Sequence, residues 1–120
     1  NKKKIDANNR EDIPFFHTRE IWWCSLGVNI GFEQDGAGNG YNRPVLILKG
    51  MSRRTCFVIP LTTSKKNHPL RIAIGKIAEK EARVLLSKMR LIDAKRLVRK
   101  IEYLREGVFE RIRKAVKAML

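Results

Sequence analysis

One arginine in this sequence stands at a junction where binding and catalytic groups are often found. The stretch Gly31–Leu48, GFEQDGAGNGYNRPVLIL, begins as a glycine-rich polar segment and ends as a proline followed by a continuous apolar run. The apolar run predicts a short buried strand. Arg43 therefore lies where a long loop enters a rigid strand, so that a scaffold holds its guanidinium while it faces the loop.

The connection before Arg43 is itself unusual. It spans roughly 16 residues after Leu26, whereas unstructured connections beyond about 12–15 residues are uncommon and are usually functional or disordered. Five of the eight glycines lie in it: Gly27, Gly31, Gly36, Gly38 and Gly40. Spacing alone leaves a flexible hairpin loop without function equally open.

A second group with chemical potential follows a later apolar run. Thr62, Thr63 and Ser64 come at the end of a predicted strand, and Lys65 and Lys66 follow them. Hydroxyls beside lysines form a corner that suits a phosphate. On spacing alone, an ordinary polar turn is the better explanation.

The charge of the chain indicates a polyanionic partner. The 120 residues carry a net charge of +14, which is extreme for a single small domain. Nucleic acid, an acidic protein and an anionic membrane all fit. A membrane is disfavoured because the apolar face of the C-terminal helix is needed for the core, and no apolar run is long enough to span a bilayer.

The two cysteines do not predict a metal site. Cys24 and Cys56 lie in predicted strands, without CxxC spacing and without a nearby histidine cluster. We expect two small buried thiols in a reducing cytoplasm and no metal or other cofactor.

Short strands separated by turns, followed by one helix, dominate the chain after a polar N-terminal extension. We expect residues 1–19 to form the extension, packed onto the domain through Phe15 and Phe16, and residues 20–120 to form one domain. Predicted strands cover Glu20–Leu26, Val45–Leu48, Thr55–Leu61, Leu70–Ile74, Ala82–Leu86, Met89–Ile92 and Val98–Leu104. This order predicts a mainly β fold with some helix (α+β), a small antiparallel barrel with peripheral helices.

Several local signals refine that prediction. Adjacent Trp22 and Trp23 point to opposite faces, one to the core and one to a groove or interface. Pro60 signals an edge or a bulge, and Gly75–Glu81 is predicted as a charged turn. Asp93 is suited to cap a short helix. The last helix is predicted over Glu106–Leu120, with an apolar face of Val108, Ile112, Ala115, Val116 and Met119.

Three separated blocks of sequence resemble the MazF/PemK family of bacterial toxins. The first is EIWWCSLGVNIGFEQDG…RPVLIL, in which Gly31, Glu33, Gln34, Arg43 and Pro44 match the family pattern. The second is VIPLTT at 58–63, and the third is VLLSKMRLIDAKRL at 84–97. The blocks occur in the family's order and spacing.

The resemblance implies an SH3-like barrel of the plug-and-barrel type, usually a homodimer. It implies a cytoplasmic toxin of a type II toxin–antitoxin system, a metal-independent endoribonuclease that cuts single-stranded RNA and is inhibited by an acidic antitoxin. By position, Arg43 matches the family's catalytic arginine and Thr62 its catalytic threonine. Glu33 and Gln34 match the loop that covers the site.

These residues suit attack by the RNA 2′-hydroxyl on the adjacent phosphate. The planar fork of Arg43 matches two phosphate oxygens, which favours charge stabilisation over proton donation. Thr62 is expected to donate a hydrogen bond to the same phosphate. Glu33 is the candidate base, although a carboxylate facing so much positive charge is acidified and therefore a weaker base.

Further RNA contacts are expected around this centre. Phe32 and Tyr41 are candidates for base stacking. The other predicted RNA-binding residues are Gln34, Thr63, Lys65, Lys66 and Arg90.

Two other functions remain open at this point. The CcdB family shares the barrel and poisons DNA gyrase without cutting RNA. A non-catalytic RNA-binding barrel would explain the charge equally well. Fold alone does not separate the three.

Overall fold

The computed structural model describes residues 13–25 and 42–120 of the chain. The strands are β1 (Glu20–Ser25), β2 (Asn42–Gly50), β3 (Thr55–Thr62), β4 (Arg71–Ile77), β5 (Lys80–Leu85), β6 (Arg90–Asp93) and β7 (Leu97–Tyr103). One helix follows, α1 (Glu106–Met119). Short 3₁₀ helices cover Leu86–Lys88 and Ala94–Arg96.

The seven described strands form one antiparallel sheet that curls into a half-barrel. The strand order is β4-β5-β3-β2-β1-β7, and β6 pairs with β3 outside this path. The predicted mainly β fold with a C-terminal helix is confirmed. β3 has three partners, so its end is the point at which several other elements can contribute side chains.

Pro60 marks the place where β3 changes partner. Thr55–Val58 pairs with β6, and Leu61–Thr62 pairs with β5, whereas the other side of Pro60 pairs with Val45 of β2. Proline has no backbone N–H, so it is tolerated where a strand has no ladder partner on one side. The proline signal therefore corresponds to a gap between two partner strands and not to the edge of the sheet.

Two apolar clusters lie on opposite sides of the sheet. The helix side carries Ile21, Leu46, Ile59 and Leu61, which pack with residues of α1. The far side carries Trp22, Cys24, Val45, Ile47, Cys56, Val58 and Ile92. Because both faces of the central strands are covered, β2 reads as a continuous apolar run, as the sequence predicted.

The C-terminal helix is confirmed, but its buried face differs in part from the predicted one. Phe109 and Ile112 are buried, and Val108, Ala115 and Val116 are partly buried against the same cluster. Met119 is 41% exposed. The prediction was wrong for Met119 and missed Phe109, which lies one helical turn before Ile112 and so shares its face.

The predicted turn over Gly75–Glu81 is wrong in extent. β4 continues to Ile77, which is buried, and β5 begins at Lys80. Only Ala78 and Glu79 connect them, both with positive φ (53° and 69°), which is the backbone of a tight two-residue hairpin. Gly75 has a φ of 93° at a bulge within β4, where the register shifts.

The described part of the N-terminal extension is attached to the β2–β3 hairpin. Phe16 packs against the far-side cluster and lies next to Gly50, whereas Phe15 is 75% exposed beneath the guanidinium of Arg53. Arg53 donates hydrogen bonds to the carbonyl oxygens of Pro14 and Ile13, at 3.1 and 3.0 Å. In the described part of the chain no helix is long and apolar enough to cross a membrane.

Candidate functional site

The guanidinium of Arg43 is attached to the end of β3. Arg43 is the second residue of β2, and its side chain is partly buried. Its Nη1 donates a hydrogen bond of 3.0 Å to the carbonyl oxygen of Leu61. This bond crosses from β2 to β3 and places the guanidinium beside the peptide that joins Leu61 to Thr62.

The hydroxyl of Thr62 is oriented by a tight turn. Thr62 is the last residue of β3, and its Oγ1 accepts a hydrogen bond of 3.1 Å from the backbone N–H of Ser64. This is a local turn of the kind that threonine and serine hydroxyls form. Because the oxygen accepts from Ser64, the hydroxyl hydrogen of Thr62 is directed away from this bond, where it can donate to a ligand.

The register of the sheet brings Arg43 and Thr62 onto the same side. Val45 pairs with Pro60, and Ile47 pairs with Val58. Arg43 and Thr62 each lie two residues further toward the open end of this pairing, so both side chains project to the far side of the sheet. The sequence predicted both residues, and the structure brings them together.

A serine after β3 connects this centre to two further arginines. The backbone carbonyl of Ser64 accepts a hydrogen bond from Arg83 Nη1, and its Oγ accepts one from Arg71 Nη1, both at 3.2 Å. Ser64 Oγ also accepts from the backbone N–H of Lys66, at 3.2 Å. The sequence did not single out Arg71 or Arg83. Each alternates with apolar residues in a half-exposed strand, and only the strand register places them beside Thr62.

The other described candidates surround the centre less closely. Thr63, Lys65 and Lys66 are exposed in the segment after β3. Arg90 is exposed at the start of β6 and pairs with Val58, so it shares the far side with Thr62. Four predicted residues lie outside the described residues: Phe32, Glu33, Gln34 and Tyr41.

The two thiols near the site are unreactive. Cys24 pairs with Arg43 in the β1–β2 ladder and is buried with Cys56 in the far-side cluster. Burial raises the pKa of Cys24 to about 12, with a further contribution from Cys56. Burial also raises the pKa of Cys56 to about 11. Both thiols are therefore protonated at neutral pH and do not act as nucleophiles. They are free cysteines, as predicted.

One of the two adjacent tryptophans is buried in the core, as predicted. Trp22 is buried in the far-side cluster, and Trp23 is partly exposed. Among residues 13–25 and 42–120, no group of three metal-ligating side chains comes together. The described polar groups of the site are therefore the guanidinium of Arg43, the hydroxyl of Thr62 and the arginines around Ser64, a set suited to bind phosphate oxygens.

Comparison with known proteins gives a family and a fold. Residues 17–120 match the model of a family described as PemK-like, MazF-like toxin of type II toxin-antitoxin system. No curated protein matches this sequence significantly.

Solved structures of such toxins share the fold. A crystal structure of MazF from Deinococcus radiodurans superposes with a TM-score of 0.66 at 19% identity, over 91% of this chain and 97% of that chain. The Mycobacterium tuberculosis toxin MazF-mt6 gives 0.64 at 21% identity, over 83% and 94%. An endoribonuclease in complex with its cognate antitoxin, from a mycobacterial species, gives 0.63 at 16% identity, over 88% and 92%.

Proposed function

The chain belongs to the PemK-like, MazF-like toxins of type II toxin–antitoxin systems, and from this premise we propose that it is a metal-independent endoribonuclease that cuts single-stranded RNA at a short sequence. Structural neighbours described as endoribonucleases support the proposal. The observation that carries it is the convergence of Arg43 and Thr62 at the end of β3, through the hydrogen bond from Arg43 Nη1 to Leu61 O.

The proposed reaction is an internal transfer of the phosphate. The RNA 2′-oxygen bonds to the adjacent phosphorus, the bond from phosphorus to the 5′-oxygen breaks, and the products are a 2′,3′-cyclic phosphate and a 5′-hydroxyl. Arg43 stabilises the charge that develops on the non-bridging oxygens, because a guanidinium donates two parallel hydrogen bonds to them. Thr62 donates a third hydrogen bond and fixes the position of the phosphorus.

The proton steps need one proton acceptor and one proton donor. We assign removal of the 2′-hydroxyl proton to Glu33, which lies outside the described residues. Arg43 remains charged throughout, because a guanidinium with a pKa above about 12 is a poor proton donor. The leaving 5′-oxygen takes its proton from water.

RNA cleavage in EDTA tests this function. Wild type, Arg43→Ala and Arg113→Ala are incubated with a long single-stranded RNA, and the ends are mapped. Arg113 is a matched control because it carries the same charge on α1 and pairs with Glu110 there. We expect discrete cuts with 5′-hydroxyl ends, reduced about 10²–10³-fold by Arg43→Ala and unchanged by Arg113→Ala. Intact RNA with folded wild type would overturn the proposal.

We further propose that the protein acts as a cytoplasmic homodimer and is inhibited by an acidic antitoxin. The family supports the antitoxin, and the net charge of +14 supports an acidic inhibitory segment. The family match favours a toxin over a plain RNA-binding barrel. A gyrase-binding toxin would leave RNA intact and would co-purify with gyrase. The RNA cleavage assay and a gyrase pull-down with the same protein sample therefore distinguish a nuclease from this alternative.

A further inference from the structure

Three cationic side chains lie in a row across the far side of the sheet, Arg43, Arg83 and Arg71, and the proposed reaction gives a role only to Arg43. Thr62 pairs with Arg83 in the β3–β5 ladder, and Arg83 pairs with Ala73 in the β5–β4 ladder. Paired residues of adjacent strands project to the same face. Arg71 precedes Ala73 by two residues in β4 and therefore shares that face as well.

From this arrangement we propose that Arg71, Arg83 and Ser64 form a second phosphate-binding subsite, which holds the backbone phosphate next to the one at Arg43 and Thr62. The inference rests on the proposed function, because it assigns a further position to the same RNA substrate. Neighbouring strands are about 4.8 Å apart. Arg83 is thus one strand from Thr62, on the side opposite to Arg43.

The hydrogen bonds to Ser64 position the guanidinium groups of Arg71 and Arg83 but use only part of their N–H donors. Each donates one hydrogen bond to Ser64, Arg83 to the carbonyl oxygen and Arg71 to Oγ. A guanidinium has five N–H donors in a rigid fork, so most of its donors remain for an anion. Both side chains are partly buried, and Ala73, which pairs with Arg83 and lies two residues after Arg71, is small and exposed. A phosphate can therefore approach both forks at once.

A purely structural role would also explain these hydrogen bonds. In that case Arg71 and Arg83 would only fix the turn that orients Thr62, and their loss would lower kcat. A phosphate contact instead contributes to binding of both substrate and transition state, so its loss raises KM with little change in kcat. A variant that lacks this contact also releases fewer counterions when it binds RNA. The slope of log affinity against log salt concentration therefore becomes shallower by about 0.7 for a single strand.

The test measures binding of a short single-stranded RNA with 2′-O-methyl riboses, which keeps the phosphates but cannot undergo 2′-oxygen attack. Affinity is titrated against salt for wild type, Arg71→Ala, Arg83→Ala and the double variant. Arg113→Ala is the charge-matched control on α1, whose buried residues pack on the other side of the sheet. Arg83→Lys keeps the charge, and Arg71→Gln and Arg83→Gln keep an amide donor for Ser64 without the charge.

We expect each loss of charge at Arg71 or Arg83 to weaken RNA binding about tenfold at low salt. We also expect it to lower the slope of log affinity against log salt concentration by about 0.7. Arg83→Lys keeps the slope, and Arg113→Ala matches wild type. Slopes equal to wild type in both the alanine and the glutamine variants would overturn the subsite. Thermal unfolding of every variant shows which of them are folded. If an alanine variant is unfolded, the slope of the matching glutamine variant decides whether the subsite exists.

Two comparisons separate this inference from the proposed function. Cleavage of unmodified RNA by wild type, together with unchanged slopes, would overturn only the subsite. Reduced slopes without any cleavage would overturn the nuclease and leave the subsite standing. An acidic peptide is the competing occupant. If the variants lose affinity for poly-glutamate but keep the wild-type slope for RNA, the subsite belongs to a protein partner and the proposal is wrong.

Discussion

Ser64 shows how a single residue connects the groups that we assign to the site. Its backbone N–H orients the hydroxyl of Thr62, and its two oxygens hold Arg71 and Arg83. The position of Ser64 in a polar corner after a strand could be predicted from the sequence. The two arginines are separated from it by 7 and 19 residues, so their proximity depends on strand pairing that no local pattern reveals.

Glu20 is a buried carboxylate that ties β1 to β7. It is 3% exposed and accepts hydrogen bonds of 2.9 Å from Trp22 Nε1 and from the backbone N–H of His17. Lys100 Nζ of β7 lies 3.3 Å from its second oxygen. Burial raises the pKa of Glu20, but the hydrogen bonds from Trp22, His17 and Lys100 outweigh it and hold the pKa below its usual value.

This environment gives a prediction about stability and pH. Because the folded pKa of Glu20 is lowered, its contribution is present above the ordinary glutamate pKa of about 4.3 and is lost as the pH falls through the folded pKa. We expect Glu20→Gln to lower the free energy of unfolding by about 1–3 kcal/mol at pH 7, with a smaller difference in acid. Urea unfolding at several pH values measures this.

Glu110→Gln is the matched control for that experiment. Glu110 pairs with Arg113 on the exposed surface of α1, where an ion pair contributes at most about 1 kcal/mol. An equal loss of stability in the two variants at pH 7, or a loss for Glu20→Gln that does not shrink in acid, would contradict the assignment to Glu20.

At the scale of elements, the sequence predicted existence and type well and the boundaries less well. Apolar runs and turn residues are local signals, so each strand of residues 13–25 and 42–120 and the final helix were found. Gly75 was misread as a turn because a glycine in a bulge and a glycine in a turn look alike without the partner strand. Phe109 was missed because the face of a helix is fixed by what packs on it, here the sheet residues Ile21, Leu46 and Leu61.

The corrected helix face gives a prediction about stability. Phe109 is 4% exposed within the helix-side cluster, whereas Met119 is 41% exposed. We expect Phe109→Ala to lower the free energy of unfolding by about 3–5 kcal/mol, because it leaves a cavity in the core. Met119→Ala is the control and should change it by less than about 0.5 kcal/mol. Chemical denaturation measures both changes in the free energy of unfolding, provided that the denaturant dependence is the same in both variants. Similar losses of stability for Phe109→Ala and Met119→Ala would contradict the buried face described above and favour the face predicted from the sequence.

At the scale of the whole molecule, the helix and the cationic row divide the two sides of the sheet. α1 and its apolar cluster occupy the helix side, whereas the row of Arg43, Arg83 and Arg71 projects to the far side around Thr62. A net charge of +14 reinforces this row at long range. Composition predicted a polyanionic partner, but only the pairing of the strands shows where the cations gather.

The last prediction concerns competition between polyanions for that row. If RNA and an acidic segment use the same arginines, poly-glutamate should raise the KM for RNA cleavage without changing kcat. The inhibition should weaken with salt, because dissolved ions screen the attraction between exposed charges and largely remove it beyond a Debye length of about 8–10 Å. Initial rates at several RNA concentrations measure this, with neutral poly-glutamine as the control polymer. A lower kcat at constant KM would mean that the acidic polymer binds elsewhere and acts through the conformation of the protein.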